Sequence, residues 1–327
     1  MKAIIYEKYG TIDVLQLAEV EKPVPRENEV LVEVHAASVN VDDLDRLRGQ
    51  FAVGFGGSRG RRYKILGSDI AGRVAAVGDR VEQFRPGDEV FGDLTGCGFG
   101  AFAEYACAPE KALASKPPRI TFEEAAAAPS RAIIALQGLR SSGGVRPGQK
   151  VLINGASGGV GTFAVQIARH YGAEVTAVGS AGKLDLARLL GADHVIDYAR
   201  ADFTRNWQRY DRILDVAAHR SISDYRRALN PGGICLLVGG SAAAILQALF
   251  LGPLISLAGG RKIGLLIWRP FRKEDVDALS ELLGSGKVKP VIDRRYPLSK
   301  VPEALRYLEE GRARGKVVIT VRENNMA

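Results

Sequence analysis

The hydrophobic and polar positions of this chain follow two different rhythms. Residues 1–121 contain β-branched runs such as 30–34 and 72–77, separated by turn signals such as Pro86-Gly87-Asp88. Short runs of this kind, bounded by Pro, Gly and Asp, indicate strands. We therefore predict a strand-rich, antiparallel and barrel-like domain over this part of the chain.

The rhythm changes over residues 122–269. Short apolar runs alternate there with helical spacing, as in the run Val151-Leu152-Ile153 and the helical pattern over 163–168. Further strands are predicted at 174–178, 194–196, 212–216 and 234–238. Continuous apolar strands that alternate with helices indicate parallel βαβ units that are covered on both faces.

The end of the chain returns to a mixed pattern, with two predicted helices and then a strand at 316–321. A terminal strand that follows a parallel domain can rejoin the sheet of the first domain. We therefore predict an α/β protein in which a doubly wound parallel sheet, residues 122–269, is inserted in a discontinuous domain formed by residues 1–121 and 270–327. The length of 327 residues agrees with two domains.

Composition narrows the classes of function. The three cysteines, Cys97, Cys107 and Cys235, cannot form a disulfide framework or a four-cysteine zinc site. The chain opens without a long apolar segment, so we expect no signal peptide and a reduced, cytoplasmic location. Its net charge of +8 is compatible with a nucleic acid, an anionic membrane or a phosphate-bearing ligand, and also with solubility alone.

One stretch, residues 232–260, carries no formal charge. Its length permits a membrane span, but Gly239-Gly240-Ser241 and Gly252-Pro253 divide it into three short pieces. We interpret it as a buried strand followed by a core helix. For the part over 241–260, a contact between two copies of the chain and a peripheral membrane contact remain as alternatives.

The segment with the clearest chemistry is 151–161, in which a strand leads into a glycine-rich turn and then into a helix. Glycine lets the backbone turn sharply and lets a pyrophosphate approach the amides, while the helix N-terminus presents N–H groups to the anion. This context predicts a dinucleotide site, the alternative being a purely structural turn. The residues predicted to contact the cofactor here are Ala156, Ser157, Gly158, Gly159 and Val160.

The following strand indicates which dinucleotide is bound. An NAD site usually places Asp or Glu at the end of the second strand, but here the strand runs into Gly179, Ser180 and Lys183. A small glycine, a hydroxyl and a cation suit the 2′-phosphate of NADPH, the alternative for Lys183 being a solvated helix residue. Ligands of such sheets lie beyond the carboxyl ends of the strands. We therefore also predict cofactor contacts from Val216, Ala217, Val238, Gly239, Gly240 and Ser241.

A series of motifs in order along the chain carries a family resemblance. The motifs are 36–43 (AASVNVDD), 66–72 (LGSDIAG), 84–92 (FRPGDEVFG), 101–105 (AFAEY), 122–127 (FEEAAA), 154–161 (NGASGGVG), 191–198 (GADHVIDY) and 311–318 (GRARGKVV). With them the chain resembles the medium-chain dehydrogenase/reductase superfamily, and within it the zinc-free quinone and enone reductases of the zeta-crystallin-like branch. The resemblance implies a Rossmann domain inserted in a GroES-like catalytic domain.

The zinc-dependent branch of that superfamily would have a cysteine where Asn40 stands and a Gly-His-Glu where Gly67-Ser68-Asp69 stands. Neither ligand is present, and zinc takes thiolate and imidazole ligands, so we expect no bound metal. Without a metal Lewis acid, hydride delivery from NADPH to an electron-poor carbon is the less demanding chemistry. The resemblance thus implies reduction of quinones or of the C=C bond of α,β-unsaturated carbonyls.

The resemblance also assigns single residues. Asn40 is the first catalytic candidate, as a donor that faces the nicotinamide or the substrate oxygen, and a turn residue is the alternative. Asp43 is the second, with helix capping or an internal ion pair as the alternative. By the same resemblance Tyr198 is placed at the adenosine phosphate or the adenine, Ile134 near the nicotinamide, and Lys316 near the cofactor cleft, unless Lys316 is a solvated strand end.

For partners, we expect a homodimer, a small quinone or electrophilic carbonyl as substrate, and no nucleic acid. Residues 122–269 hold 17 basic and 10 acidic residues, which favours an anionic cofactor over nucleic acid. A second class of function stays open, a non-catalytic NADPH-binding protein that acts as a sensor, a structural protein or an RNA-binding module. The loop over 49–64, with its glycines and arginines, is either a substrate lid or a solvated insertion.

Overall fold

The computed structural model describes residues 1–50, 64–270 and 272–322. The candidate lid over 49–64 therefore lies almost wholly outside the described residues. The chain divides into two compact units, Met1–Ile133 with Pro270–Ala327 and, between them in sequence, Ile134–Arg269.

The N-terminal part of the first unit is rich in strands. Its elements are β1 (Lys2–Tyr6), β2 (Gln16–Glu19), β3 (Glu29–Ser38), α1 (Val41–Leu47), β4 (Lys64–Ile65), β5 (Asp69–Val77), β6 (Glu89–Asp93), β7 (Tyr105–Pro109), β8 (Leu113–Ser115), α2 (Phe122–Ala126) and α3 (Pro129–Arg140), the last of which continues into the second unit. β1 joins β2 and β4 in an antiparallel sheet, and β3 pairs antiparallel with β5 and β7.

The second unit is built around a six-stranded parallel sheet. Its elements are β9 (Lys150–Asn154), α4 (Gly159–His170), β10 (Glu174–Gly179), α5 (Leu184–Leu189), β11 (His194–Asp197), β12 (Tyr210–Asp215), α6 (Ile222–Ala228), β13 (Leu229–Leu237), α7 (Ala242–Gly259) and β14 (Lys262–Leu265). The strand order β11-β10-β9-β12-β13-β14 reverses direction between β9 and β12, which is the doubly wound order. The predicted fold class is therefore confirmed.

The chain then returns to the first unit through α8 (Lys273–Gly284), β15 (Ile292–Pro297), α9 (Val301–Glu309) and β16 (Lys316–Thr320). β16 pairs antiparallel with β3, so that Val318 lies opposite Ser38. The larger sheet of this unit has the order β15-β16-β3-β5-β6-β8. The terminal strand thus lies between β15, the preceding strand in sequence, and β3, which belongs to the N-terminal part of the chain.

The border between the two units differs from the predicted one. Residues 122–133 were predicted to belong to the parallel domain, whereas the structure groups them with the first unit. The reason is that α2 packs on β3 and β5, and that Glu123 of this helix accepts hydrogen bonds from Arg295 and Thr320 at 2.6 and 2.9 Å. Helical periodicity alone cannot show which sheet a helix covers.

The uncharged stretch forms the end of β13 and the whole of α7, and the interpretation of α7 as a core helix is wrong for its large side chains. Ala244 and Ala248 are buried, but Phe250 is 67% and Leu257 is 86% exposed. A Cβ on Gly252 would lie 2.3 Å from the carbonyl oxygen of Ile263, so only glycine fits at this point of contact with β14. Among the helices of the described residues, none is long and apolar enough to cross a bilayer.

Candidate functional site

The turn after β9 has the geometry of a phosphate loop. Gly155 adopts a φ of +79°, a conformation that favours glycine, and the N–H groups of Gly155 and Ala156 both donate to the carbonyl of Val178 at 3.1 Å. At Gly161 a Cβ would lie 2.1 Å from the carbonyl oxygen of Gly155. The first turn of α4 therefore packs directly on the loop, which only glycine permits.

This loop presents backbone donors at the start of α4. Gly158 is the N-cap residue, and the first intrahelical bond beyond it runs from the Thr162 N–H to the Gly158 carbonyl. The N–H groups of Gly159 and Val160 precede that bond, so they have no carbonyl four residues back. Together with the positive end of the helix dipole they form a cradle that suits an anionic group. Five predicted cofactor residues, Ala156, Ser157, Gly158, Gly159 and Val160, lie on this cradle.

The end of β10 lies beside the cradle. Gly179 is buried, and a Cβ there would lie 3.7 Å from Ser157 Oγ, which brings the second strand end and the loop together. Ser180 and Lys183 follow at half-buried positions, Lys183 at the end of a single 3₁₀ turn. Tyr198 donates its N–H to the Gly179 carbonyl at 3.2 Å and leaves its side chain 54% exposed.

An acid that the sequence analysis did not consider stands at this edge. Asp197, the last residue of β11, pairs with Gly179 in the parallel ladder. Its carboxylate accepts the Ala199 N–H at 3.0 Å and lies 3.6 Å from Arg200. These partners engage the carboxylate in its own turn. The β10 end thus combines a glycine, a hydroxyl and a cation, as the sequence indicated.

A buried carboxylate, that of Asp215 at the end of β12, links this strand to β9 by hydrogen bonds. Asp215 accepts hydrogen bonds from Asn154 Nδ2 at 2.8 Å, from the Ala217 N–H at 2.9 Å and from the Tyr225 hydroxyl at 2.8 Å. Burial raises the pKa of Asp215 even though these donors lower it. These hydrogen bonds of Asp215 help to position the loops that follow β12 and β13. Asp215 and Asn154 were not among the predicted site residues, although both are polar residues that end apolar strands.

The loop residues predicted after β12 and β13 are brought together by backbone bonds. The N–H of Val238 donates to the Asp215 carbonyl at 2.8 Å, and Ala218 bonds to both Gly239 and Ser241. Val216, Ala217, Val238, Gly239, Gly240 and Ser241 therefore follow the carboxyl ends of adjacent strands. Ser241 also caps α7, because its side chain accepts the Ala244 N–H. Ile134, by contrast, is a buried residue of α3, only 2% exposed.

A second group of polar residues is buried in the first unit, and strand register explains it. Ser38 of β3 lies opposite Asp69 of β5, and Asp69 lies opposite Asp93 of β6. Two residues beyond Ser38, Asn40 begins α1 on the side where β16 brings Lys316. Ser38, Asn40, Asp69, Asp93 and Lys316 are each at most 2% exposed.

Asn40 has a partner for each polar atom of its side chain. Its Nδ2 donates to Ser68 Oγ at 3.2 Å and to Asp69 Oδ2 at 2.9 Å, and its Oδ1 accepts from Arg131 Nε at 2.8 Å and Lys316 Nζ at 2.6 Å. Both amide hydrogens are thus directed at acceptors inside the unit. In this arrangement the amide offers no further hydrogen to a substrate oxygen.

Asp69 and Lys316 form the ionic centre of the group. Asp69 Oδ2 accepts from Ser38 Oγ, Asn40 Nδ2, Ser130 Oγ and Lys316 Nζ, the last at 3.1 Å. Burial by itself raises the pKa of Asp69, but the Lys316 ammonium and the hydrogen bonds outweigh burial and lower it. The carboxylate is therefore ionised, and Lys316 is its counter-ion. The alternative in which Lys316 is a solvated strand end is wrong.

Asp43 is a cap rather than an ion-pair partner. Its two carboxyl oxygens accept the N–H groups of Asn40 at 2.8 Å and Gly67 at 2.9 Å, in a capping box at the start of α1. Burial raises its pKa to about 7, although the two N–H donors lower it. Asp93 is similarly buried, with a pKa raised to about 7 by burial and then by the charge of Asp69.

Two residues of this group, Ser130 and Arg131, were missed by the sequence analysis. The N–H of Ser130 donates to Asp69 Oδ1 at 2.9 Å, and the Arg131 guanidinium bridges Asn40 to Asp42, with Nη2 at 2.7 Å from Asp42 Oδ2. Their signal is weak, because a serine and an arginine after Pro129 read as an ordinary helix start. Only the packing of α3 shows their partners.

No group of three or more His, Cys, Asp or Glu side chains suited to a metal ion occurs among the residues that the structure describes. The positions that correspond to zinc ligands by resemblance hold an amide, a hydroxyl and a carboxylate, and an ammonium lies 3.1 Å from the carboxylate. This donor set does not fit zinc. Cys97 is a free thiol whose pKa is raised to about 11 by burial.

Comparisons with known families agree with this architecture. Residues 26–118 match the family model of the alcohol dehydrogenase GroES-like domain, and residues 190–319 match that of the zinc-binding dehydrogenases. A 2-methylene-furan-3-one reductase of Solanum lycopersicum is 37% identical over 98% of this chain and 79% of that protein. A chloroplastic NADPH-dependent alkenal/one oxidoreductase of Arabidopsis thaliana is 33% identical over the same shares of the two chains.

A solved structure extends the comparison to three dimensions. The quinone oxidoreductase of Escherichia coli, determined in complex with NADPH, superposes with a TM-score of 0.84 at 25% sequence identity. The match covers 98% of this chain and 100% of that chain. The similarity therefore extends over both units of the fold.

Proposed function

We propose that this chain, which belongs to the medium-chain dehydrogenase/reductase superfamily and is an oxidoreductase, uses NADPH to reduce a quinone or the C=C bond of an α,β-unsaturated carbonyl without zinc. The observation that carries the proposal is the buried group around Asp69. A lysine ammonium is the counter-ion of Asp69, where a metal-dependent enzyme would need thiolate and imidazole ligands.

The dinucleotide is supported by the cradle at the start of α4. We propose that the amides of this loop bind the pyrophosphate, with Ser180 and Lys183 at the 2′-phosphate. Gly179 in place of an acid favours NADPH, because a carboxylate at the strand end would repel that phosphate. The second unit also carries 16 basic and 8 acidic residues, a surplus that favours an anionic ligand.

The chemistry follows from what the cofactor and the acceptor already supply. NADPH, when bound, provides the hydride, and a proton completes the reduction of the acceptor. A quinone or enone is electron-poor at the accepting carbon, so the step needs less polarisation than reduction of an isolated carbonyl. The residues of the chain then have to bind, orient and exclude water. We assign Asn40 and Asp43 positioning roles, because their polar atoms are already hydrogen-bonded.

The substrate class is supported by the relatives, whose names are those of a furanone reductase, an alkenal/one oxidoreductase and a quinone oxidoreductase. All three names describe electron-poor acceptors in which a carbonyl is conjugated or forms part of a quinone. The choice among such acceptors is left to experiment.

The test is a panel of acceptors with purified protein. We expect oxidation of NADPH, followed by its absorbance, in the presence of small quinones or alkenals, and none with simple saturated ketones. Rates should be unchanged after dialysis against a chelator and after addition of zinc. Tight NADPH binding with no turnover across the panel would contradict the proposal and favour the non-catalytic alternative.

A further inference from the structure

Asp215 is a buried acid to which the proposed reaction gives no role. It ends β12 and lies opposite Asn154, the last residue of β9, in the parallel ladder. β9 and β12 are the two strands between which the sheet reverses direction. A doubly wound sheet binds its ligand at this point, beyond the carboxyl ends of the strands. Asp215, which has no exposed surface, therefore lies directly beneath the expected position of a dinucleotide.

The carboxylate of Asp215 accepts hydrogen bonds from three elements. Asn154 Nδ2 of β9 and the Ala217 N–H of the following loop both donate to Oδ1. The Tyr225 hydroxyl of α6 donates to Oδ2. The two bonds on Oδ1 thus join β9 to the loop after β12, while the bond on Oδ2 fixes the orientation of the carboxylate from the side of α6.

These bonds maintain a direct contact between two loops of the candidate site. The N–H of Val216 donates to the Asn154 carbonyl at 3.1 Å, and Asn154 Nδ2 also donates to the Ala217 carbonyl at 3.4 Å. A Cβ on Gly155 would lie 3.3 Å from Cβ of Val216 and 3.7 Å from Cβ of Ala217. The loop after β9 and the loop after β12 therefore touch, with the pair formed by Asp215 and Asn154 at the base of the contact.

The loop after β12 in turn supports the loop after β13. Ala218 donates its N–H to the Gly239 carbonyl at 2.9 Å, and its carbonyl accepts the N–H of Ser241 at 2.7 Å. At Gly240 a Cβ would lie 2.0 Å from the Ala218 carbonyl oxygen, so the two backbones are in close contact. A shift of the loop after β12 would therefore displace the loop after β13 as well.

We infer that Asp215 is a positioning residue, which holds the loops after β12 and β13 where they bind the nicotinamide half of NADPH. This inference rests on the proposed function. In a doubly wound sheet the first half, here β9 to β11, binds the adenosine half and the pyrophosphate, which leaves β12 to β14 for the nicotinamide half. Loss of the carboxylate should therefore weaken binding of the nicotinamide half and leave binding of the adenosine half unchanged.

Titration calorimetry with two ligands separates these halves. The full chain is titrated with NADPH and with adenosine 2′,5′-bisphosphate, which carries the 2′-phosphate but no nicotinamide. Asp215→Ala should bind NADPH roughly tenfold more weakly, and the bisphosphate within about twofold of the parent. Its kcat with a small quinone should fall about ten- to hundredfold, because a small misplacement of reacting groups lowers the rate steeply.

A conservative variant and a matched control accompany this measurement. Asp215→Asn keeps an acceptor for the two donors on Oδ1, so it should stay within about threefold of the parent in NADPH affinity and kcat. Asp211→Ala is the control, because Asp211 lies on the same strand and accepts similar bonds, from the Lys150 N–H and from Asn230 Nδ2. Asp211 lies near the amino end of β12, so its loss should change neither affinity nor kcat.

A milder variant supplies the same test if Asp215→Ala does not fold. Asn154→Ala removes one donor and leaves the carboxylate in place, so NADPH affinity should fall about threefold and that of the bisphosphate should not change. An equal loss of affinity for the two ligands would overturn the inference, because the acid would then stabilise the whole unit. So would NADPH affinity and kcat in Asp215→Ala that equal those of the parent.

The proposed function fails in a different way. A parent chain that binds NADPH but reduces no acceptor would contradict the proposed reaction, while the difference between the two ligands in calorimetry would still decide the role of Asp215. A parent chain that binds neither ligand would overturn both.

Discussion

The two units use charge in opposite ways. The first contains 29 basic and 29 acidic residues, and its most buried polar residues bond to one another around Asp69. The second contains 16 basic and 8 acidic residues and leaves backbone N–H groups at the start of α4 without an internal acceptor. The first unit therefore balances its buried charges internally, whereas the second has a surplus of basic residues and backbone N–H donors at the start of α4.

The difference lies in how each unit balances the charge of its polar residues. The first unit aligns three strands so that Ser38, Asp69 and Asp93 share one row, and Lys316 then supplies a positive charge inside the protein. No metal ion is required to balance that charge. For the second unit we propose the binding of an anionic cofactor, which would depend on the glycine geometry of the loop after β9 rather than on charged pairs.

The largest effect on this difference should come from removing Lys316, the buried cation of the first unit. Lys316→Met leaves Asp69 buried without its counter-ion, so we expect a loss of about 3–5 kcal/mol in the free energy of unfolding. Chemical denaturation would measure it. Lys300→Met, which removes an exposed partner of Glu303, is the control and should change stability by less than about 1 kcal/mol.

A second variant tests whether the pair itself is responsible for that loss. Adding Asp69→Asn to Lys316→Met removes the uncompensated charge, so part of the lost stability should return. A double variant that is as unstable as the sum of the two single variants would show that Asp69 and Lys316 contribute independently.

The next prediction concerns the cradle of the second unit. Gly161→Ala forces a methyl group to within 2.1 Å of the Gly155 carbonyl oxygen, so the loop must shift. Overpacking of this kind costs about 1–3 kcal/mol, and we expect NADPH affinity to fall roughly ten- to hundredfold. Titration calorimetry is the measurement. Gly264→Ala, where a Cβ meets nothing within 4 Å, should bind NADPH normally.

The pH dependence of the free energy of unfolding should come in part from Asp93 of the first unit. The folded-state pKa of Asp93 is raised from 3.8 to about 7, so the folded state holds a proton that the unfolded state has released between these values. Stability from this group is complete below about pH 4 and is lost as the pH rises to about 7, by up to about 1.4 kcal/mol per pH unit. Asp93→Asn should reduce that slope, as measured by urea unfolding across this range.

The slope should not vanish in Asp93→Asn, because Asp43 has a pKa raised to about 7 in the same direction. Identical slopes in the parent and in Asp93→Asn would show that Asp93 is not the group that titrates.

The smallest expected effect concerns cofactor choice. Lys183→Ala removes one cation from the proposed 2′-phosphate site, so the KM for NADPH should rise about tenfold while that for NADH changes by less than about twofold. Steady-state kinetics with both cofactors would measure the ratio. Arg188→Ala, an exposed residue of α5 paired with Asp185, is the control. An equal change for NADPH and NADH would place Lys183 away from the 2′-phosphate.

Much of the second unit was predictable because its signals are local. Gly155 and Gly161 are required by one turn and by the helix that follows it, and the apolar strands can be recognised from their composition. The role of α7 was not predictable in the same way. Its uncharged sequence suits a core helix, and only the exposure of side chains such as Leu246, Phe250 and Leu257 shows that most of the bulky ones face outward.

The sequence by itself determined the doubly wound sheet, the glycine cradle and the lack of cysteine and histidine at the positions of zinc ligands, because each depends on residues close together in the chain. Only the tertiary structure decided that Asn40 is fully hydrogen-bonded, that Asp43 also accepts the N–H of Gly67 and that Lys316 is a buried counter-ion. Those facts depend on the register of β3, β5 and β16. Register is set by pairings between distant segments, which no local pattern contains.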